Sequence, residues 1–275
     1  RQEGAVSPAV DVLIPTYHRP AALAVTLASL AAQDMADWRV VISDQSRHPD
    51  DTCTAEVAAV LRVLRLHGHG VEVHRHLPRR GMAEQRQFLL DQARAPYALF
   101  LDDDCFLEPF VLGLMLRVIR QEGCGFVGCA VIGLSYLDDV RPHEQAVELW
   151  HGPVEPEVVE PGLPAWERWP LHNAANLYHV QRRLGATPEQ PLRYKVAWVG
   201  GCVMYDTRKL RDAGGYGFWP ELGRHHSGED ALAQLRVMAR YGGCGIMPSG
   251  VYHQELPTTI TDRRQDAPRV LAVQP

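Results

Sequence analysis

Three consecutive carboxylates, Asp102-Asp103-Asp104, follow directly on the apolar run 97–101 (YALFL). Like charges this close repel one another, and burying them is costly without a cation. A hard divalent ion such as Mn2+ or Mg2+ is the natural counter-charge, since it takes oxygen ligands and bridges phosphates. In an extended segment Asp102 and Asp104 project to one side and Asp103 to the other, so metal contact is expected from one or both of Asp102 and Asp104. A second acidic pair, Glu229-Asp230, opens the amphipathic run 229–241, with Ser227 as its expected N-cap. A carboxylate there can take the proton of a hydroxyl nucleophile, and the helix dipole is expected to keep it ionised while lowering its basicity. The plainer reading of the same residues is an acidic loop that ends a strand and a pair that complements a helix dipole.

The elements that must position these groups read as alternating strands and helices. Residues 10–15 (VDVLIP), 38–43 (WRVVIS) and 97–101 are short apolar runs suited to buried parallel strands, and 71–76 (VEVHRH) alternates as a strand with one wet face. Helices are expected from Pro20 through Leu30, over 55–66 and over 81–93. Repeated βα units predict a mostly parallel sheet with helices on both faces, and ligands collect beyond the carboxyl ends of such strands. Periodicity fades after Ile132. Residues 133–196 read as an irregular insertion containing Trp150, Trp166 and Trp169. Order resumes with a strand over 197–205, a short helix over 208–212 and the helix 229–241. The polar tail 254–275 reads as a strap over the surface.

The whole chain of 275 residues is expected to form one α/β domain, with 10–132 and 197–253 as its two halves. Its 46% hydrophobic content supports a proper core, and its net charge of −5 argues against a nucleic-acid partner. Only Lys195 and Lys209 are lysines among 28 basic residues. The six cysteines form no CxxC pair and are expected to be small core residues in a reducing compartment, so the chain is expected to be cytoplasmic. No run is long enough to span a membrane, which leaves only peripheral membrane contact. His67, His69, His74 and His76 lack structural-zinc spacing and read as surface residues.

Two further clusters lie at strand ends on the rim expected to carry the acidic triplet. They are Pro15-Thr16-Tyr17-His18-Arg19-Pro20 and Ser43-Asp44-Gln45-Ser46. Arg80-Gly81 with Gln85-Arg86-Gln87 follows, then the triplet, Gly200-Gly201 and Gly228-Glu229-Asp230. In order and spacing this series resembles the family-2 glycosyltransferases of the GT-A fold. The resemblance covers roughly 10–132 and 197–253. His18 stands where the family usually has Asn, Gln45 where it has Gly, and Gln87 where it has Asn. The departures at Gln45 and Gln87 bear on the nucleotide more than on the reaction.

The resemblance implies a metal-dependent, inverting transfer of a sugar from a nucleoside-diphosphate donor of UDP, GDP or dTDP type to a hydroxyl acceptor. It places Pro15, Thr16, Tyr17, Arg19, Asp44, Arg86, Asp102 and Asp103 around the nucleotide, Asp44 accepting from a base imide and Arg86 forking onto the diphosphate. Asp102, Asp104 and His253 are its metal ligands, and Asp230 its general base with Glu229 as rival. Gly200, Gly201, Trp219 and His226 are expected at the acceptor. The insertion's tryptophans either join them or build a satellite core. Arg263 and Arg264 are candidates to close over the diphosphate. A sugar-phosphate nucleotidyltransferase is the enzymatic alternative, although residues 15–20 hold no Gly-rich basic loop. A non-catalytic sugar-nucleotide-binding protein is the other, and the intact Asp104 and Asp230 argue against it.

Overall fold

A computed structural model of the chain describes residues 8–273. In chain order the elements are β1 (Val10–Thr16), α1 (Pro20–Ala31), β2 (Trp38–Asp44), α2 (Ala55–Leu66), β3 (Gly70–Arg75), α3 (Met82–Gln92), β4 (Tyr97–Leu101), β5 (Cys105–Leu107) and α4 (Val111–Glu122). There follow β6 (Phe126–Gly128), α5 (Asn176–Arg183), β7 (Leu192–Tyr194), β8 (Cys202–Asp206), α6 (Thr207–Asp212), α7 (Glu229–Tyr241), β9 (Gly243–Met247), β10 (Val251–His253) and α8 (Ala267–Val270). Among the described residues no helix is long and apolar enough to cross a membrane.

Eight strands form one sheet in the order β3-β2-β1-β4-β8-β6-β9-β7. The first four run parallel; β8 is antiparallel to both β4 and β6, and β7 closes the far edge antiparallel to β9. The strands are apolar throughout because both faces are covered, and period two sorts their side chains between two cores. Val12, Ile14, Val40 and Ile42 join α1, α2 and α4 on one face. Leu13, Val41 and Phe100 join Leu89 of α3 and Leu232 and Leu235 of α7 on the other.

Asp11, fully buried on β1, is the exception. Arg39 on the neighbouring strand grips it at 2.5 and 3.1 Å, and the Arg94 and Ala95 backbone N–H groups donate to the same carboxylate. This pair locks the ends of β1 and β2 remote from the acidic triplet. At the other end the strand order reverses between β1 and β4, which opens a crevice beyond their carboxyl ends.

Some expectations need correction. Residues 133–196 hold helix α5 and edge strand β7 besides 3-10 turns, so they are not irregular throughout. The strand expected over 197–205 starts only at Cys202. Gly228, not Ser227, caps α7. It sits at φ +73°, where a Cβ would stand 2.3 Å from Asp266 Oδ1, so only glycine fits. Ser227 instead bridges to Asp266 and draws the tail back over the crevice. All six cysteines are free; Cys53 is exposed and the other five are buried.

Candidate active site

Thr16 at the end of β1 and the triplet at the end of β4 meet across the switch point. Thr16 Oγ1 donates to Asp103 Oδ2 at 2.7 Å, and Thr26 of α1 donates to the Asp103 carbonyl at 2.8 Å. Asp103 and Asp104 form a turn rather than a continuing strand, so the expected alternation fails and all three carboxylates line one cleft. Strand β10 pairs with β5 and sets His253 opposite Cys105; His253 Nε2 lies 3.5 Å from Asp104 Oδ2.

Two arginines hold the carboxylates. Arg19 donates to Asp104 at 2.7 Å and to the Pro257 carbonyl of the tail. Arg86 on α3 is buried and donates to Asp102 Oδ1 at 3.0 Å and to Glu229 Oε1 at 3.1 Å. It therefore ties the triplet to the start of α7, instead of presenting a free fork to a diphosphate. Burial pushes Asp103 up to about 7; the Asp104 and Asp102 charges add to this, and the Thr16 hydrogen bond and Arg19 oppose it. Burial likewise raises Asp104, helped by Asp102.

Helix α7 delivers Glu229 and Asp230. Glu229 is buried and engaged by Arg86, whereas among the described residues Asp230 accepts only from the Ala231 N–H, at 2.8 Å. Burial and then the Glu229 charge push Asp230 up to about 7. The expectation that the helix dipole would lower its basicity is thus reversed, because desolvation and like charge dominate here.

These groups surround a cleft of about 500 Å³, which also takes in Pro15, Tyr17, Arg79, Trp166, Trp198 and the tail residues Ile260 and Arg263. Arg79 lies 3.5 Å above the Tyr17 ring, so Tyr17 is an exposed-edge aromatic at the cleft mouth rather than a core residue. A second cavity of about 350 Å³ adjoins it, lined by Gly200, Gly201, Trp169, His172 and Asn173. The two share Asp102, Trp198, Asp230 and His253. Gly201, at φ +79°, has Val131 Cγ2 2.6 Å from where a Cβ would sit and Asp102 Oδ2 at 3.5 Å, so the chain passes there only as glycine.

Not every expected residue reaches the site. Asp44 accepts from the Ser46 N–H at 2.8 Å and from Thr52 Oγ1 at 3.0 Å, and it lines a separate cavity under α2 rather than the cleft. His226 lies outside both cavities. Its Nε2 accepts from Ala83 N–H at 3.1 Å and its Nδ1–H donates to the Gly223 carbonyl at 2.7 Å, so it caps α3 and is neutral by burial. Trp219 packs on the core beside α3, and Trp150 lies under Lys195 away from both cavities. Arg264 pairs with Asp262 at 2.6 Å, whereas Arg263 faces the cleft. Trp166 belongs to the main core and to the wall of the larger cleft, whereas Trp169 lines the second cavity.

Sequence reasoning missed Trp198 and Arg79. It also missed that His18 adopts φ +52°, the left-handed conformation that Asn tolerates best, and Asn is the usual residue there. His76 stacks on Phe88 at 3.9 Å and meets Glu84 at 2.8 Å, and His69 stacks on Trp38, which accounts for two of the paired histidines without zinc.

Asp102, Asp104 and His253 suit a hard divalent cation in type, two carboxylates with one imidazole. Among the described residues no three such groups close around one point.

The family model "Glycosyl transferase family 2" matches residues 11–183. The chain belongs to this family. An uncharacterized glycosyltransferase of Haemophilus influenzae is 30% identical over 147 residues, half of this chain and 47% of that protein. Among solved structures, the Pyrobaculum calidifontis mannosyltransferase, in complex with GDP-Man and Mn2+, superposes with a TM-score of 0.56 at 15% identity, covering 93% of this chain and 59% of that one. Staphylococcus aureus TarS 1–349 gives 0.54 at 17%, covering 89% and 60%. The family-2 chain thus spans about half to 60% of these relatives, and the solved structures share its GT-A glycosyltransferase fold.

Proposed function

We propose that this glycosyltransferase moves a sugar from a nucleoside diphosphate onto a hydroxyl acceptor with inversion, and that Asp230 is the general base. The observation that carries the reading is the place of Asp230, on the shared wall of the two cavities, with no Arg or Lys among the described residues hydrogen-bonded to its carboxylate. The larger cleft suits the donor. Tyr17 under Arg79 offers an aromatic and cationic surface at its mouth, and Arg19 and Arg263 supply positive charge near the diphosphate. Relatives of the same fold were solved with GDP-Man and Mn2+ and with UDP-GlcNAc, which supports a sugar nucleotide as donor.

In the reaction the acceptor oxygen bonds to the anomeric carbon while the bond from that carbon to the diphosphate oxygen breaks. The acceptor proton passes to Asp230 and the electron pair leaves with the nucleoside diphosphate. A pKa near 7 makes Asp230 a stronger base than an ordinary carboxylate while keeping a useful ionised fraction at neutral pH. Glu229 is the poorer candidate because Arg86 already occupies it. Asp102, Asp104 and His253 would hold Mn2+ or Mg2+, which neutralises charge on the leaving diphosphate. Arg86 aligns Asp102 with the start of α7. Six free cysteines favour a reducing, cytoplasmic setting.

The test is release of nucleoside diphosphate from UDP-, GDP- and dTDP-sugars in the presence of Mn2+ and a set of acceptor glycans. Asp230→Asn should retain nucleotide binding and lose about 10²–10⁴-fold in turnover. Full turnover in that variant would remove Asp230 from the base role.

A further inference from the structure

We propose that the acceptor is an uncharged sugar residue, stacked on Trp169 in the second cavity with its reacting hydroxyl turned to Asp230. The inference rests on the transfer reading above and names the class of acceptor that this site takes.

Charge makes the first argument. Among the described residues the cavity walls carry Asp102, Asp230 and His253 but neither Arg nor Lys. His172, also on the wall, is bonded to the Tyr194 hydroxyl at 2.9 Å, and burial drops it to about 4, so it is neutral at working pH. The cation that Asp102, Asp104 and His253 would hold is committed to the donor diphosphate, so a phosphate or carboxylate on the acceptor would face Asp230 with no Arg or Lys on the wall to offset it. A neutral polyhydroxyl ring meets no such cost.

Shape makes the second. Trp169 is 39% exposed, an unusual state for an indole that the core does not require, and its exposed part faces this cavity. Trp198 forms another part of the wall and is steadied by Trp166 at a ring separation of 4.8 Å. Indole faces suit the C–H surfaces of a pyranose. Asn173 next to them donates its amide to Glu144 at 3.2 Å, which leaves its carbonyl oxygen without a protein donor and open to a sugar hydroxyl. About 350 Å³ lies near the lower end of the ~300–1,000 Å³ found for ligand pockets, which fits a small ring better than a long lipid. Trp169, His172 and Asn173 all come from residues 133–196, so this segment sets acceptor choice.

Saturation-transfer NMR tests this directly on the full chain. Each sample holds saturating UDP, GDP or dTDP with Mg2+, which does not broaden the spectrum, and either methyl hexopyranosides or the corresponding hexose phosphates. The nucleotide resonances report the donor cleft independently of the acceptor. Methyl glycosides should give transfer, hexose phosphates should not, and Trp169→Ala should weaken glycoside binding about tenfold with nucleotide signals unchanged. Trp169→Phe should restore most of it. Hexose phosphates binding as well as the neutral sugars would overturn the proposal. So would unchanged glycoside binding in Trp169→Ala, or glycoside silence while a nucleotide is bound. Absence of every nucleotide signal would instead refute the donor reading on which the proposal stands.

Discussion

Replacing Arg86 by Met removes one guanidinium and keeps most of the side-chain length over Phe100. In the native chain that guanidinium, only 6% exposed, holds Glu229 at 3.1 Å and Asp102 at 3.0 Å. Glu229 is 5% exposed and would be left as a buried carboxylate without a partner, whereas Asp102 is 38% exposed and keeps access to water. The cost therefore comes mainly from Glu229, and breaking such a buried pair costs about 3–5 kcal/mol. For a chain of this size that lowers Tm by on the order of 10 °C. Arg86 also pulls the Asp230 pKa down, so its removal moves the acidic limb of the rate profile to higher pH. Urea denaturation at pH 8, with a pH profile of nucleoside diphosphate release, measures both effects. A loss below about 1 kcal/mol at pH 8 together with an unmoved limb would refute the assignment of Arg86 as the clamp between triplet and helix.

Asp11→Ala should cost a similar ~3–5 kcal/mol, because it takes the buried carboxylate from Arg39, which keeps only Glu72 and the Gln92 carbonyl, and leaves two backbone N–H groups unpaired. Nucleotide affinity should not change, since this pair sits at the far ends of the strands; denaturation and calorimetry together check it. Asp103 and Asp230 keep protons in the folded state up to about 7, against ~4 for an unfolded Asp, so their contribution to stability falls as pH rises between those values. Mn2+ should accordingly raise Tm more at pH 8 than at pH 5, as read by differential scanning calorimetry; an equal rise at both would argue against cation binding at the triplet.

Much of the fold was legible because its pattern is local. Helix α2 and strand β4 fall where periodicity places them, and α7 does as well, since each carries enough apolar repeats to declare its face. Strands β5, β6 and β7 are three residues each, too short to show a period, and exist because a neighbour supplies their hydrogen bonds. The acidic triplet and the Glu-Asp pair announced themselves by charge. Which carboxylate is free and which is clamped depended on Arg86, whose two partners lie 16 and 143 positions away. His226 looked like an acceptor contact for the same reason that it makes a good cap: an imidazole can accept and donate at once. The second cavity joins residues around 131, 169 to 173 and 198 to 201, a grouping that no local spacing reveals.

The central claim is that the cleft between β1, β4 and α7 binds a nucleoside diphosphate through a cation held at the triplet. Calorimetric titration of UDP, GDP and dTDP into the chain, with Mn2+ and again with excess EDTA, tests it most directly. The account predicts binding of at least one nucleotide with Mn2+, its loss in EDTA, and the same loss in Asp104→Ala with Mn2+ present. Binding that survives both EDTA and Asp104→Ala, or no binding of any nucleotide, would contradict it.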